Sequence, residues 1–271
     1  MNSRTAALPA NWTTDLAILE LAGARIARRD DHLIVRTPQN RWAHWANFLL
    51  VTDPATVSDA DRWTAAFAEE FPDAGWVAVG LPTTPDATGW ARHGIDIQPL
   101  DTLAAMAAPH ETPPVPGYEI RPFTPDDWAH DVERAIAENA ATRAQDPAEF
   151  AAFVTAQARQ RRRLMDRGVA AWFGAFSKSR LLADLGIVLC GHRARYQDVS
   201  TDPEHRRRGL ASHLLGVAGQ WAARRGCAEW VIVTEPTNAA GRVYRAAGFR
   251  AVPGGAEAYR KPPPAAVSPA L

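Results

Sequence analysis

Two landmarks of this chain recur at one spacing. Trp76 and Trp230 lie 154 positions apart, and so do Gly94 and Gly248. Around each pair the same patterns follow in the same order. VTDP (51–54) matches STDP (200–203), GWVAVG (75–80) matches EWVIVT (229–234), and WARHGI (90–95) matches YRAAGF (244–249). Strand and helix periodicities alternate in register through both copies. An internal duplication of this kind predicts two similar α/β halves.

The proline-rich segment PHETPPVPG (109–117) falls between the copies. Its prolines exclude helix and central strand, so it reads as a linker. The expected layout is a diverged first domain over 1–108, the linker over 109–117, a second domain over 118–260 and a loose tail, KPPPAAVSPAL, over 261–271. With 271 residues, 46% of them hydrophobic, both halves can bury a core.

In the first half, residues 13–22 read as helix, HLIVRT and NFLLVTD as strands, SDADRWTAAFAEEF as a capped helix and GWVAVGL as a strand. In the second half YEIRPF is a strand, and Thr124 and Pro125 fit the cap and first turn of a helix. Helical patterns cover about 125–140 and 147–166. VAAWFGAF, LLADLGIVLCG and RARYQDVST read as three strands turned at SKSR (177–180) and Gly191-His192. A helix over LASHLLGVAGQWAARRG stops at Gly226, a buried strand follows over AEWVIVTEP, and TNAAGRVYRAAGF is a short helix ending at Gly248 before a last strand.

Lys and Arg together number 30, as do Asp and Glu, so the formal charge is zero. That balance argues against a general nucleic-acid or membrane-surface binder. The cysteines are Cys190 and Cys227 alone, which excludes a disulfide scaffold or a Cys-rich zinc site and fits a reducing compartment. The first residues, MNSRTAALPANW, lack the order of a secretory signal, and no apolar run is long enough to span a bilayer. A soluble cytoplasmic protein is expected.

The connection DPEHRRRG joins the strand RARYQDVST to the helix that starts at Leu210. The first amides of a helix have no internal partner, and the helix dipole adds partial positive charge there. A strand feeding a glycine turn and then a helix is therefore an anion site by construction. Gly209 lets the backbone approach a ligand, Ala211 keeps that face clear, and Arg206, Arg207 and Arg208 add charge at the rim. Neither the nucleotide P-loop pattern nor the dinucleotide glycine pattern is present.

DVSTDPEHRRRGLASHLL, TNAAGRVYRAAGF and the opening IRPFTPDDW together resemble the GNAT acyltransferase superfamily over about residues 118–255. The resemblance implies two GNAT-like halves, each a mixed, mostly antiparallel sheet flanked by helices. It implies that the amides from Arg206 through Leu210 to Ser212 bind the pyrophosphate of acetyl-CoA. It implies that Val199, Ser200 and Thr201 pair with the pantetheine arm and that Asn238 helps hold the cofactor. It also implies that Tyr244 protonates the departing thiolate. The expected reaction is acetyl transfer to an amine by direct attack. The acceptor, a small molecule or a peptide or protein amine, stays open, as does self-association into a homodimer. No metal is called for.

From the residues alone, Tyr244 is also readable as packing and Asn238 as a helix cap. Asp198, His192 and Glu235 are candidate general bases, with Asp198 carried as the site residue. Strand alternation sets Asp198 opposite Gln197 and Val199. Cys190 reads as a core thiol. RQRRRLMDR (159–167) reads as a solvated helix face, and Trp42, Trp45, Trp63, Trp76 and Trp90 read as core. The first half has no glycine loop, and Trp90 stands where Tyr244 stands later, so that copy is not expected to catalyse. A non-catalytic acyl-CoA-binding module and a nucleic-acid binder using the arginine runs are the rival readings.

Overall fold

The computed structural model describes residues 8–142 and 145–262, so most of the tail expected to be loose lies outside the described residues. The first half runs α1 (Ala10–Leu21), β1 (Arg25–Arg28), β2 (His32–Arg36), β3 (Phe48–Val51), α2 (Ala60–Glu70), β4 (Val77–Leu81), α3 (Thr88–Ala91), β5 (Asp96–Pro99) and β6 (Asp101–Ala105). The second half runs β7 (Glu119–Pro122), α4 (Pro125–Thr142), α5 (Pro147–Asp166), β8 (Ala170–Ser177), β9 (Arg180–Cys190) and β10 (Arg193–Thr201). It continues with α6 (Leu210–Ala223), β11 (Glu229–Thr234), α7 (Ala240–Ala246), β12 (Arg250–Ala251) and β13 (Ala256–Arg260). No helix among the described residues is long and apolar enough to cross a membrane.

The repeat holds at the level of single hydrogen bonds. Asp53 accepts from the Ala55 amide ahead of one 3-10 turn, and Asp202 accepts from the Glu204 amide ahead of another. The Ile95 amide closes α3 on the Trp90 carbonyl at 3.2 Å, and the Phe249 amide closes α7 on the Tyr244 carbonyl at 3.1 Å. Each sheet has one parallel pair, β3 with β4 and β10 with β11, and its other pairs are antiparallel. This is the expected mixed architecture, twice.

The expected boundaries at 1–108 and 118–260 do not describe the sheets. The strand orders are β1-β2-β3-β4-β13-β5 and β12-β6-β11-β10-β9-β8-β7. Each half therefore inserts its last strand into the other half's sheet. The cause is local. Only Leu100 separates β5 from β6, too little for a two-residue hairpin, so the chain runs on into the second sheet instead of folding back. In return, β13 enters between β4 and β5, where Ala256 and Ala258 are fully buried in the first core.

The linker is held rather than loose. It crosses α6 where that helix carries Gly216 and Gly219. A Cβ on Gly216 would sit 2.6 Å from the His110 carbonyl oxygen, and one on Gly219 would sit 2.8 Å from Pro109. His213 Nδ1 bonds the Thr112 carbonyl at 2.7 Å. Tyr118, just past the linker, meets His205 of the arginine loop through its hydroxyl at 2.7 Å.

Trp63 and Trp90 are fully buried in the first core and donate to the Thr56 and Val57 carbonyls, and Trp76 is buried beside them. Trp42 departs from the core reading, and Trp45 packs at the edge of the first core. They are half-buried and line a cavity between the two sheets.

Candidate active site

β10 and β11 pair only where Arg193–Arg195 lie beside Glu229–Val231. Past that point β10 stays bonded to β9 on its far edge as far as Thr201, and β11 stays bonded to β6 as far as Thr234. The two strands part, and their facing edges keep backbone groups free for a ligand. A β-bulge between Gln197 and Ser200, with Asp198 at φ +49°, bends β10 away at this place.

The opening leads to the start of α6. Gly209 sits at the N-cap with φ +86°, and the first bond of the helix runs from the His213 amide to the Gly209 carbonyl at 3.0 Å. The amides of Leu210, Ala211 and Ser212 therefore precede any helical bond, and no side chain caps them. Arg206, Arg207 and Arg208 are exposed around them. Arg206 Nε donates to the Thr201 carbonyl and Arg208 to the Glu204 carbonyl, each at 3.2 Å, which braces the loop. The matching place in the first half is filled. Asp59 caps α2 by accepting from the Arg62 amide, and Asp61 follows in its first turn. A helix start already holding carboxylates repels an anion.

Other expected residues fall as follows. Val199 is half-buried against the second core. The Ser200 hydroxyl bonds the Asp184 carboxylate, whose burial holds it protonated up to about 6. Thr201 offers its hydroxyl to the Ser200 carbonyl at 2.8 Å. Asn238 accepts from the Ala240 amide at 2.9 Å, one residue ahead of Ala239, which takes the N-cap place of α7 without a side-chain cap.

Tyr244 is 4% exposed in the second core, and burial pushes its phenol up to about 12. Its hydroxyl bonds no protein group among the described residues and still reaches accessible space. Tyr196, in the same core, instead spends its hydroxyl on the Leu215 carbonyl at 2.7 Å.

The bulge corrects the alternation expected around Asp198. Gln197 and Asp198 both line the inter-sheet cavity, and Asp198 is half-exposed and paired with Arg161 of α5. His192 lies at the other end of β10, beside Glu229 and away from the opening. Cys190 behaves as a core thiol: its Sγ lies 3.8 Å from the Thr14 carbonyl, and burial raises it to about 12. Arg161, within the basic run, is largely covered rather than solvated, because it faces the cavity.

The cavity measures about 1530 Å³. Trp42, Trp45 and Tyr259 of β13 supply aromatic surface, with the buried rings of Trp12 of α1 and Trp172 of β8 behind the wall. His44 stacks on Trp76 at 4.2 Å and meets the Tyr259 hydroxyl at 2.6 Å, while burial lowers it to about 4 and keeps it neutral. Asp15 of α1 and Glu257 of β13 also line the wall.

Arg195 links this wall to the opening. It is 8% exposed, bonds Asp15 at 3.2 Å, and leaves Nε and Nη1 without a partner among the described residues. Its charge reaches Glu257 and Tyr244 as well. The sequence reading missed Asp15, Arg195 and Glu257, because the strand exchange is what brings them together. The one available signal was the alternation in AEAYR, which sets Glu257 and Tyr259 on the face opposite Ala256 and Ala258.

Burial, then the nearby Asp15 and Glu235 carboxylates, raise Glu257 from 4.5 to about 8, against the opposing charge of Arg195. Between those values the folded chain holds a proton that the unfolded chain has lost. Stability contributed at this position is therefore full below about 4.5 and is lost as pH rises towards 8. Glu257→Gln should raise the melting temperature at pH 8, by several degrees, and leave it nearly unchanged at pH 4.5. Equal shifts at both pH values in thermal melts would show that Glu257 is not held protonated by the fold.

The family model for the acetyltransferase (GNAT) family matches residues 119–249. This part of the chain belongs to that family. The GNAT match takes in the parted strands, the bulge, the arginine loop and Tyr244, and it stops before Glu257. Among solved structures, the fold is similar to a functionally unknown conserved protein from Staphylococcus epidermidis ATCC 12228, at TM-score 0.69 and 12% identity over 89% of this chain and 96% of that one. It is also similar to a GCN5-related N-acetyltransferase from Kribbella flavida, at TM-score 0.59 and 17% identity over 93% and 95%. A tandem GNAT protein from the clavulanic acid biosynthesis pathway aligns at TM-score 0.52 and 17% identity over 92% of each chain. These alignments extend through both halves, so the two-half GNAT architecture is a shared fold. No curated protein matches the sequence.

Proposed function

We propose that the second half transfers an acetyl group from acetyl-CoA to an amine by direct attack, and that the first half walls the acceptor site. The observation that carries this is the uncapped, arginine-rimmed start of α6 at the mouth of the parted β10 and β11. The amides of Leu210 to Ser212 and the arginines would hold the pyrophosphate. The free edge of Val199 to Thr201 would hold the pantetheine arm. As the amine nitrogen bonds the thioester carbon and the C–S bond breaks, Tyr244 would donate to the departing sulfur. Its burial keeps the phenol protonated until well above neutral pH, and the Arg195 charge eases release of the proton.

Calorimetric titration with acetyl-CoA should give one equivalent per chain. Two equivalents would mean the first half binds despite Asp59. No binding would remove the enzyme reading together with its rival, a non-catalytic acyl-CoA-binding module.

A further inference from the structure

Resting on that reading, we infer that the acceptor is an amine carried as a cation on a broad aromatic or apolar body, bound in the inter-sheet cavity with Glu257 receiving its ammonium proton. The site is composed by both halves. Trp12, Trp42 and Trp45 come from the first half, Trp172 from the second, and Glu257 and Tyr259 from the exchanged strand. Trp42 and Trp45 are half-buried, so part of each indole is open to the cavity. A cavity of about 1530 Å³ exceeds the usual range for small ligands, which favours a bulky acceptor over a short alkylamine.

Charge favours a cation. Asp15, Asp146, Glu149, Asp198 and Glu257 line the cavity against Arg161 and Lys261. Asp15 is committed to Arg195, Asp198 to Arg161, and Asp146 to the start of α5. Glu257 makes no ion pair among the described residues, although burial without a partner is costly for a carboxylate. An ammonium group is the ligand that would relieve it, and aromatic faces beside it favour the same charge. The cavity thus prefers a cation while the arginine loop, which lies outside its lining, prefers an anion, so the two substrates are sorted by charge.

The proton balance is complete. Entry of the ammonium displaces the proton of Glu257 to solvent, and the ionised carboxylate then takes one proton from the ammonium. The neutral amine bonds the acetyl carbon, the C–S bond breaks, the sulfur gains a proton from Tyr244, and the second nitrogen proton restores the Tyr244 phenol. The products are the acetamide and free thiol, with one proton released overall.

The test titrates the intact protein with tryptamine, with the same-sized anion indole-3-propionate, and with n-propylamine, following tryptophan fluorescence and heat. Each titration is run with and without saturating CoA. Tryptamine should bind at least about tenfold more tightly than either comparison in one of the two states, and Glu257→Gln should weaken it about tenfold while Glu257→Asp keeps part of the affinity. Binding of the anion as tightly as the cation, equal binding of propylamine, no binding of tryptamine in either state, or an unaffected Gln variant would each overturn the inference. The acetyl-CoA titration fails or succeeds separately, so loss of the enzyme reading is told apart from loss of this one.

Discussion

Gly209→Glu should weaken acetyl-CoA binding by about 100-fold or more. Two costs add. Gly209 sits at φ +86°, where any side chain is strained by on the order of 1 kcal/mol. The new carboxylate would also occupy the uncapped start of α6, where the free amides of Leu210 to Ser212 are the only strong donors that the helix offers an anion. Together these reach about 3 kcal/mol, or roughly two decades in affinity. The first half shows the result of such a change, because Asp59 already fills its matching helix start. Gly209→Ala separates the terms: it keeps the strain and adds no charge, so it should bind between the two. Calorimetry measures both, and tight binding by the Glu variant would mean that the pyrophosphate does not sit here.

Tyr244→Phe should lower kcat by about 100-fold, the scale of a lost general acid, while acetyl-CoA affinity stays within about threefold. The substitution removes one oxygen that bonds no protein group among the described residues, so the fold has little to lose. Melting temperature should stay within a few degrees, in contrast to Tyr196→Phe, which would remove a buried hydrogen bond to the Leu215 carbonyl. Turnover is read from free thiol release with whichever amine supports it. Unchanged turnover would make Tyr244 a packing residue, the other reading its buried ring allows.

Much of the second half is legible along the chain because its signals are local. RARYQDVST is β10 to the residue, and the pattern over 147–166 is α5 to the residue. A glycine followed by a helical period marks the uncapped helix start at Gly209 along the chain, and the structure holds that glycine at φ +86°. The duplication is legible for the same reason: Asp53 and Asp202, and Gly94 and Gly248, each perform a short-range task that leaves its mark at matching positions.

The inter-sheet cavity obeys different physics. Asp15, Arg195 and Glu257 lie on α1, β10 and β13, and nothing in the neighbourhood of any one of them specifies the other two. They meet because Leu100 alone is too short to turn β5 back into β6, so each half completes the other's sheet. The bulge at Asp198 is likewise a tertiary event, and it cancels the alternation on which a face assignment for β10 depends. The sequence by itself determined most of the secondary structure, the repeat and the glycine-led, uncapped start of α6, since hydrogen-bond periodicity, caps and backbone dihedrals act over a few residues. Only the tertiary structure decided which strands share a sheet and which carboxylate faces the cavity, because strand exchange and burial join residues more than a hundred positions apart.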